Sequence, residues 1–222
     1  MNWLELAGIA SHLFAPRSCP LCGELGRFVC EDCLSAALSA PAPLSRCVAC
    51  GGPSPCVRHG TRYELRALAV HKDAARELLL CSKYGGAGGL ARRLGREMAR
   101  LAPEGEGWTV TTIPEHSHFS VFPRVFHLEW MARGFSDASG IPARSLLSWT
   151  RKFVPQKEQP DARSRRDLPR DCFACTHNVP EKVVLLDDVS TTGTTLEHAA
   201  SCLYAAGAKE VRCVAFSVAA RG

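Results

Sequence analysis

The stretch that most constrains this chain is Val183-Val184-Leu185-Leu186-Asp187-Asp188-Val189-Ser190-Thr191-Thr192-Gly193-Thr194-Thr195. Four consecutive apolar residues, two of them β-branched, predict a short strand covered on both faces, as in a parallel sheet. The run stops at two carboxylates and continues into hydroxyls and a glycine. From Thr194 the period changes, and Leu196, Ala199, Ala200 and Leu203 mark one face of a helix that Gly207 closes. A strand, a small polar loop and a helix N-terminus form an anion site. The unpaired N–H groups of the first helical turn point outward, Gly193 lets the backbone approach a ligand, and the Thr hydroxyls add donors.

An anion alone does not account for Asp187 and Asp188, because carboxylates beside a phosphate repel it unless something lies between. A ribose 5-phosphate supplies that spacer: its phosphate sits on the loop and its ring hydroxyls donate to the acids. The combination of hydrophobic strand, paired acids and Thr-Thr-Gly-x-Thr resembles the phosphoribosyl pyrophosphate (PRPP) motif of type I phosphoribosyltransferases. The candidate ligand set is Asp187, Asp188, Ser190, Thr191, Thr192, Gly193, Thr194 and Thr195. Asp187 and Asp188 are the candidate catalytic pair.

The second constraint is the cysteine spacing. No apolar run approaches the roughly 20 residues of a membrane span. The N-terminus has no basic leader and is interrupted by Glu5 and His12, so a cytoplasmic protein is expected. In that compartment twelve cysteines point to metal before disulfides. Cys19/Cys22 and Cys30/Cys33 are two Cys-x-x-Cys pairs, and Cys47/Cys50 is followed by Cys56-Val-Arg-His59. Eight soft or imidazole ligands in four pairs fit two tetrahedral zinc sites, with Gly23 and Gly51 easing the turns. Sequential pairing puts Cys19, Cys22, Cys30 and Cys33 on one ion and Cys47, Cys50, Cys56 and His59 on the other. Interleaved pairing also satisfies the spacing. With all four positions filled by protein the sites are structural, since so small a module has little core of its own. Cys172-Phe-Ala-Cys175 stands without a second pair and reads as two small apolar residues.

Read in order, the chain begins with an apolar stripe (Trp3, Leu4, Leu6, Ile9, Leu13, Phe14) that ends at Pro16. The Ala/Pro-rich segment 35–43 is expected to bridge the two zinc halves. Strands are expected at 65–71, 109–114, 143–147, 183–188 and 211–218. Helices are expected at 73–83 (with Asp73 as N-cap), 90–101, 128–139 and 194–207. Alternating elements of this kind define an α/β protein with a doubly wound, mainly parallel sheet. The expected division is 1–60 for the N-terminal helix and double zinc ribbon, and 61–222 for the α/β domain. The segment 149–172 carries seven Arg/Lys against four acids and three prolines, which reads either as a solvated loop or as a flap over a polyphosphate or nucleic acid. The net charge of +5 permits nucleic-acid contact without arguing for it.

Four metal-ligand knuckles, then Lys83-Tyr84-Gly85-Gly86, then a C-terminal PRPP motif is a layout that resembles the ComF/GntX family. Its members are competence-associated proteins with a double zinc ribbon fused to a phosphoribosyltransferase-like domain. Arg133-Gly134-Phe135-Ser136 is similar to the family's Arg-Gly-Phe-Asn. Gln156 or Gln159, with Arg165 and Phe173, is similar to its Gln and Arg-x-x-Asn stretch, with Leu168 in place of the Asn. The resemblance implies PRPP with Mg²⁺ or a nucleotide as ligand, two structural zincs, and single-stranded DNA or a DNA-uptake protein as partner. One departure bears on chemistry. Where the family has a strongly basic run, residues 115–127 keep one arginine, Arg124, among histidines and apolar residues. Pyrophosphate is a multiply charged leaving group, and losing cations beside it removes transition-state stabilisation. Two readings follow: ligand binding in DNA uptake without transfer, or an active Mg-dependent transferase acting on a nucleobase or related acceptor.

Overall fold

The structure is a computed structural model that describes residues 17–39, 45–84, 88–115, 126–150, 168–176 and 178–219. The apolar stripe before Arg17, residues 116–125, the segment 151–167, and Gly85 with Gly86 lie outside the described residues. The N-terminal part contains helix α1 (Glu31–Leu38) and the two-residue strand β1 (Arg46–Cys47). Then come β2 (Glu64–Val70), helices α2 (Asp73–Tyr84) and α3 (Gly88–Met98), and a 3-10 turn at Ala99–Leu101. The chain continues through β3 (Trp108–Thr112), α4 (His127–Ser139), β4 (Leu147–Trp149) and β5 (Phe173–Cys175). It ends with β6 (Lys182–Ser190), α5 (Thr194–Ala205) and β7 (Glu210–Val218).

The main sheet has the order β1-β2-β7-β6-β3. β2, β7, β6 and β3 are parallel, and β1 is antiparallel at the edge. Val183 to Leu186 of β6 are fully buried, as a strand covered on both faces requires. The helices follow from the connections. α2 and α3 carry the chain from β2 across to β3, whereas α5 carries it back from β6 to β7. With right-handed crossovers, opposite moves place their helices on opposite faces. This is the expected α/β architecture with a mainly parallel sheet, preceded by a cysteine-rich module.

Two glycines set the helical layer. A Cβ at Gly95 of α3 would stand 2.0 Å from the Met131 carbonyl oxygen, and one at Gly134 of α4 would stand 1.9 Å from that of Arg92. The two helices therefore touch backbone to backbone. The Arg133-Gly134-Phe135 stretch is a packing element here, with Phe135 fully buried and the Arg133 guanidinium 4.8 Å from the centre of the Trp130 ring.

Three local expectations are corrected. The strand expected at 143–147 is only a parallel bridge of Ala143 to Val110. There Pro142 accepts from Val110 N, and the Leu146 amide turns to Thr111 Oγ1 at 3.1 Å. The ladder begins at Leu147 instead, antiparallel to β5 in a separate two-stranded ribbon. The bridge expected at 35–43 begins inside α1, because the Cys30 sulfur accepts the Cys33 amide and caps a helix that runs to Leu38. Asp73 is the first residue of α2, with φ +45°, a conformation Asp tolerates better than most side chains.

Candidate functional site

The cysteine knuckles share one local fold. In each, the amide four residues after the first cysteine returns to that cysteine's carbonyl: Gly23 to Cys19, Leu34 to Cys30, Gly51 to Cys47 and Gly60 to Cys56, at 2.7–3.0 Å. The turn aims both side chains of a pair at one point. Cys19, Cys22, Cys30 and Cys33 converge with ligand atoms within 4.8 Å of one another, and Cys47, Cys50, Cys56 and His59 do the same. The pairing in space is thus sequential. Cys22 and Cys30 sulfurs are 3.6 Å apart, Cys50 and Cys56 sulfurs 3.3 Å, and His59 Nδ1 is 3.4 Å from Cys47 Sγ. A tetrahedron with zinc–sulfur bonds near 2.3 Å has edges of about 3.8 Å, so both donor sets fit a closed four-coordinate ion. In the second set the Cys56 thiol is brought down to about 6 by the Cys50 side chain and then by the Arg58 and His59 amides, whereas burial raises that of Cys47. Cys172 and Cys175 are in neither cluster. Burial pushes their thiols up to about 11 and about 12, and Cys175 Sγ lies 3.1 Å from Cys202 Sγ.

The acids and the hydroxyl loop lie at the carboxyl end of β6, where parallel sheets bind ligands. Asp187 is half-buried and its Oδ1 accepts the Asp188 amide at 2.9 Å. Asp188 is buried and pairs with Lys83 Nζ, at the end of α2. His127, the first residue of α4, brings Nε2 within 3.3 Å of Asp188 Oδ2. That contact is not an aligned hydrogen bond, since Nε2 has no hydrogen-bond partner, and Asp188 is held between the two side chains. His127 Nδ1 and the buried Ser82 Oγ are 2.8 Å apart. Burial pushes the Asp188 carboxyl up, but His127 and the Lys83 charge overcome this and hold it at about 2. Asp188 is therefore an anion fixed by its neighbours.

Two more titratable groups edge this cluster. Glu115 Oε2 accepts the Leu128 amide at 3.1 Å and so satisfies the first turn of α4, and burial raises its carboxyl above the ordinary range. His71 Nδ1 lies 3.0 Å from Ser217 Oγ, and burial, with the Lys83 charge, lowers its imidazole.

In the loop, Ser190 is buried, Thr191 and Thr192 are exposed, and Thr194 and Thr195 are partly exposed. Thr192 Oγ1 accepts the Thr194 amide at 3.3 Å and lies 3.0 Å from Thr194 Oγ1. Gly193 precedes α5 with φ +90°, a left-handed conformation that glycine adopts without strain. The residues singled out from sequence are thus brought together as one strand end and one helix N-terminus. Reading by residue missed Ser82, Glu115, His127 and Arg46. Arg46 Nη2 donates to the Ser190 carbonyl at 3.1 Å. Only the resemblance at Lys83-Tyr84 pointed toward this side of the site, and Arg46 carries no signal beyond standing next to Cys47.

Residues 180–221 match the phosphoribosyl transferase domain family, which places the acids, the loop, α5 and β7 inside the matched segment. Among solved structures, the chain is similar to one described as the allosteric regulatory enzyme of purine biosynthesis, at 26% identity and TM-score 0.39. It is also similar to the glutamine PRPP amidotransferase of B. subtilis complexed with ADP and GMP, at 23% identity and TM-score 0.37. Each alignment covers 56% of this chain and 25% of the other, so this chain spans a quarter of those proteins. No curated protein matches the chain. Among the described residues, no helix is long and apolar enough to cross a membrane.

Proposed function

We propose that this chain binds a 5-phosphorylated ribose, either PRPP with Mg²⁺ or a nucleotide, as a cytoplasmic ComF/GntX-type protein associated with DNA uptake. The observation that carries the ligand class is the junction of β6 and α5. An acid pair, five hydroxyl residues and a left-handed Gly193 join the strand to a helix N-terminus, inside the segment that matches the phosphoribosyl transferase domain. In this reading the amides and hydroxyls of residues 190–195 take the 5-phosphate, and Asp187 accepts from the ribose hydroxyls. Asp188, fixed by Lys83, holds the strand end in place beneath the sugar. A Mg²⁺ ion arriving with PRPP neutralises pyrophosphate charge and is held mainly by ligand oxygens, with the two carboxylates as the protein groups suited to it. The cysteine clusters hold two structural zincs. Single-stranded DNA or a DNA-uptake protein is the proposed partner, on the strength of the family resemblance, and the net charge of +5 is compatible with it.

One observation favours an active transferase. Glu115, shortly after β3, is a carboxyl that burial raises above the ordinary range, the direction that suits a group exchanging a proton with an acceptor base. The deciding experiment incubates zinc-loaded protein with Mg·PRPP and a panel of bases, follows pyrophosphate release, and measures single-stranded DNA binding across a salt series. Calorimetry with PRPP, ribose 5-phosphate and AMP runs alongside. PRPP binding lost in Asp187→Ala and Gly193→Val is expected. DNA binding with a steep salt slope and no base-dependent release supports the uptake role. Base-dependent release abolished by Asp188→Ala replaces that role with the transferase. Unchanged PRPP binding in both loop variants sinks the ligand assignment.

A further inference from the structure

Cys47 stands between two residues that both reach the hydroxyl loop. On one side Arg46, itself buried, donates from Nη2 to the Ser190 carbonyl at 3.1 Å, to Ser190 Oγ at 3.3 Å and to the Thr191 carbonyl at 3.4 Å. On the other side Val48 forms the wall behind Gly193. A Cβ on Gly193 would meet the Val48 carbonyl oxygen at 2.9 Å and the Val48 Cβ at 3.1 Å. The position of this segment is set in turn by the second cluster. Cys47 is one of its four donors, its amide is bound to the Gly52 carbonyl at 2.9 Å, and Val48 N is bound to the Tyr63 carbonyl at 2.8 Å. A shift of the knuckle is therefore a shift of the loop.

The first cluster is placed differently. Its contacts run to the helical layer: Arg93 of α3 donates to Glu31 at 3.1 Å, and Phe28 packs against Gly89.

We propose that Arg46 is a positioning residue for the loop at 190–195, and that metal occupancy of the Cys47/Cys50/Cys56/His59 cluster is thermodynamically linked to ligand binding on that loop. The linkage rests on reading the loop as a 5-phosphoribosyl site; the mechanical coupling does not. Three carbonyl and hydroxyl oxygens of the loop turn inward to one guanidinium, which fixes the backbone that carries the following amides into α5. With the cluster open, β1 and Val48 lose their anchor, and the loop amides lose the arrangement that binding requires. Linkage is reciprocal: the factor by which metal tightens the ligand is the factor by which ligand tightens the metal.

The test uses the full chain loaded with zinc. Arg46→Gln, Arg46→Lys, Cys50→Ser and Cys22→Ser are compared by zinc content, by amide hydrogen exchange of residues 188–195 without ligand, and by calorimetry with Mg·PRPP. Zinc transfer to a chromogenic chelator is timed with and without PRPP. Arg46→Gln is expected to keep both zincs, to speed exchange in the loop, and to weaken PRPP about tenfold, inside the 5- to 150-fold range usual for coupled sites. Arg46→Lys recovers part of each effect. Cys50→Ser loses one zinc with the same loop signature, while Cys22→Ser loses one zinc and keeps the parent loop. PRPP slows release of one zinc and not the other. If Arg46→Gln, which retains both metals, exchanges its loop like the parent, the proposal is overturned. Equal effects of Cys22→Ser and Cys50→Ser overturn it too. A parent protein that binds no PRPP defeats the ligand reading instead, and loop exchange still decides the coupling.

Discussion

Along β6, Val183, Val184, Leu185 and Leu186 are fully enclosed by apolar neighbours, whereas Asp188 and Ser190, further along the same strand, are nearly as enclosed by charge and hydrogen bonds. The first half is secured by packing, which is non-directional and proportional to area. The second is secured by particular atoms: Lys83 Nζ on Asp188 and the Arg46 guanidinium on Ser190. Packing tolerates exchange of one apolar residue for another of like volume, while a buried ion depends on the few groups placed against it. The strand thus has a robust end and a conditional end, and the conditional end carries the proposed ligand site.

The widest separation between the two halves should come from Leu185→Ala. It removes a fully buried side chain from the packed half and should cost about 3–4 kcal/mol. The urea midpoint should fall accordingly, and PRPP affinity under native conditions should stay near that of the parent. A comparable loss of affinity would show that the halves are not independent.

Lys83→Met should cost about 2 kcal/mol, below the roughly 3–5 typical when a fully buried pair is broken. The discount reflects the 35% exposure of the Lys83 side chain, at which water already screens the pair in the parent. This variant should also change the pH response. In the parent, Asp188 is lowered to about 2 from an ordinary 3.8, so the unfolded chain takes up the proton first. The stabilisation is complete above pH 4 and disappears as pH falls from about 4 toward 2. Without Lys83 only His127 is left to oppose burial, so the folded carboxyl moves up toward its ordinary range and Lys83→Met should lose less stability over that interval. Urea titrations at several acidic pH values measure both slopes, and parallel slopes would remove Lys83 from the account of Asp188.

Ser82→Ala should have the smallest effect, about 1 kcal/mol, for the lost contact with His127 Nδ1 at 2.8 Å. Its value lies in direction: the imidazole becomes freer to turn, so the acid slope assigned to Asp188 should shift toward that of Lys83→Met without reaching it.

The packed half of β6 was legible because four apolar residues in a row need cover whatever lies nearby. The cysteine clusters were legible because metal chemistry imposes its spacing on the chain, and the sequential pairing follows from knuckles that each close on themselves. The conditional half was legible only in its own residues. Its partners come from Arg46, Lys83 and His127, and Arg46 is 144 positions from Ser190, so no local pattern announces the contact. The misplaced strand at 143–147 has a related cause. A run with strand composition forms a ladder only where a neighbour offers one, and here the pairing with β3 is a single bridge at Ala143, closed by Pro142 and Arg144 on Val110, before the chain turns to β5. α1 was missed because Ala and Pro content suggested a linker, while the Cys30 sulfur supplied a helix cap that composition does not reveal.

The two residues of β1 also have a consequence for association between molecules. They pair with Glu64 and Leu65 of β2, at the outer edge of a sheet whose interior strands are almost wholly apolar. An uncovered strand edge is a template on which another chain can add. The knuckle that carries Cys47 is therefore a stopper against polymerisation as well as a neighbour of the loop. Chelated protein should form β-rich oligomers faster than protein whose first cluster alone has been emptied, because only in the former does the edge of β2 lose its cover.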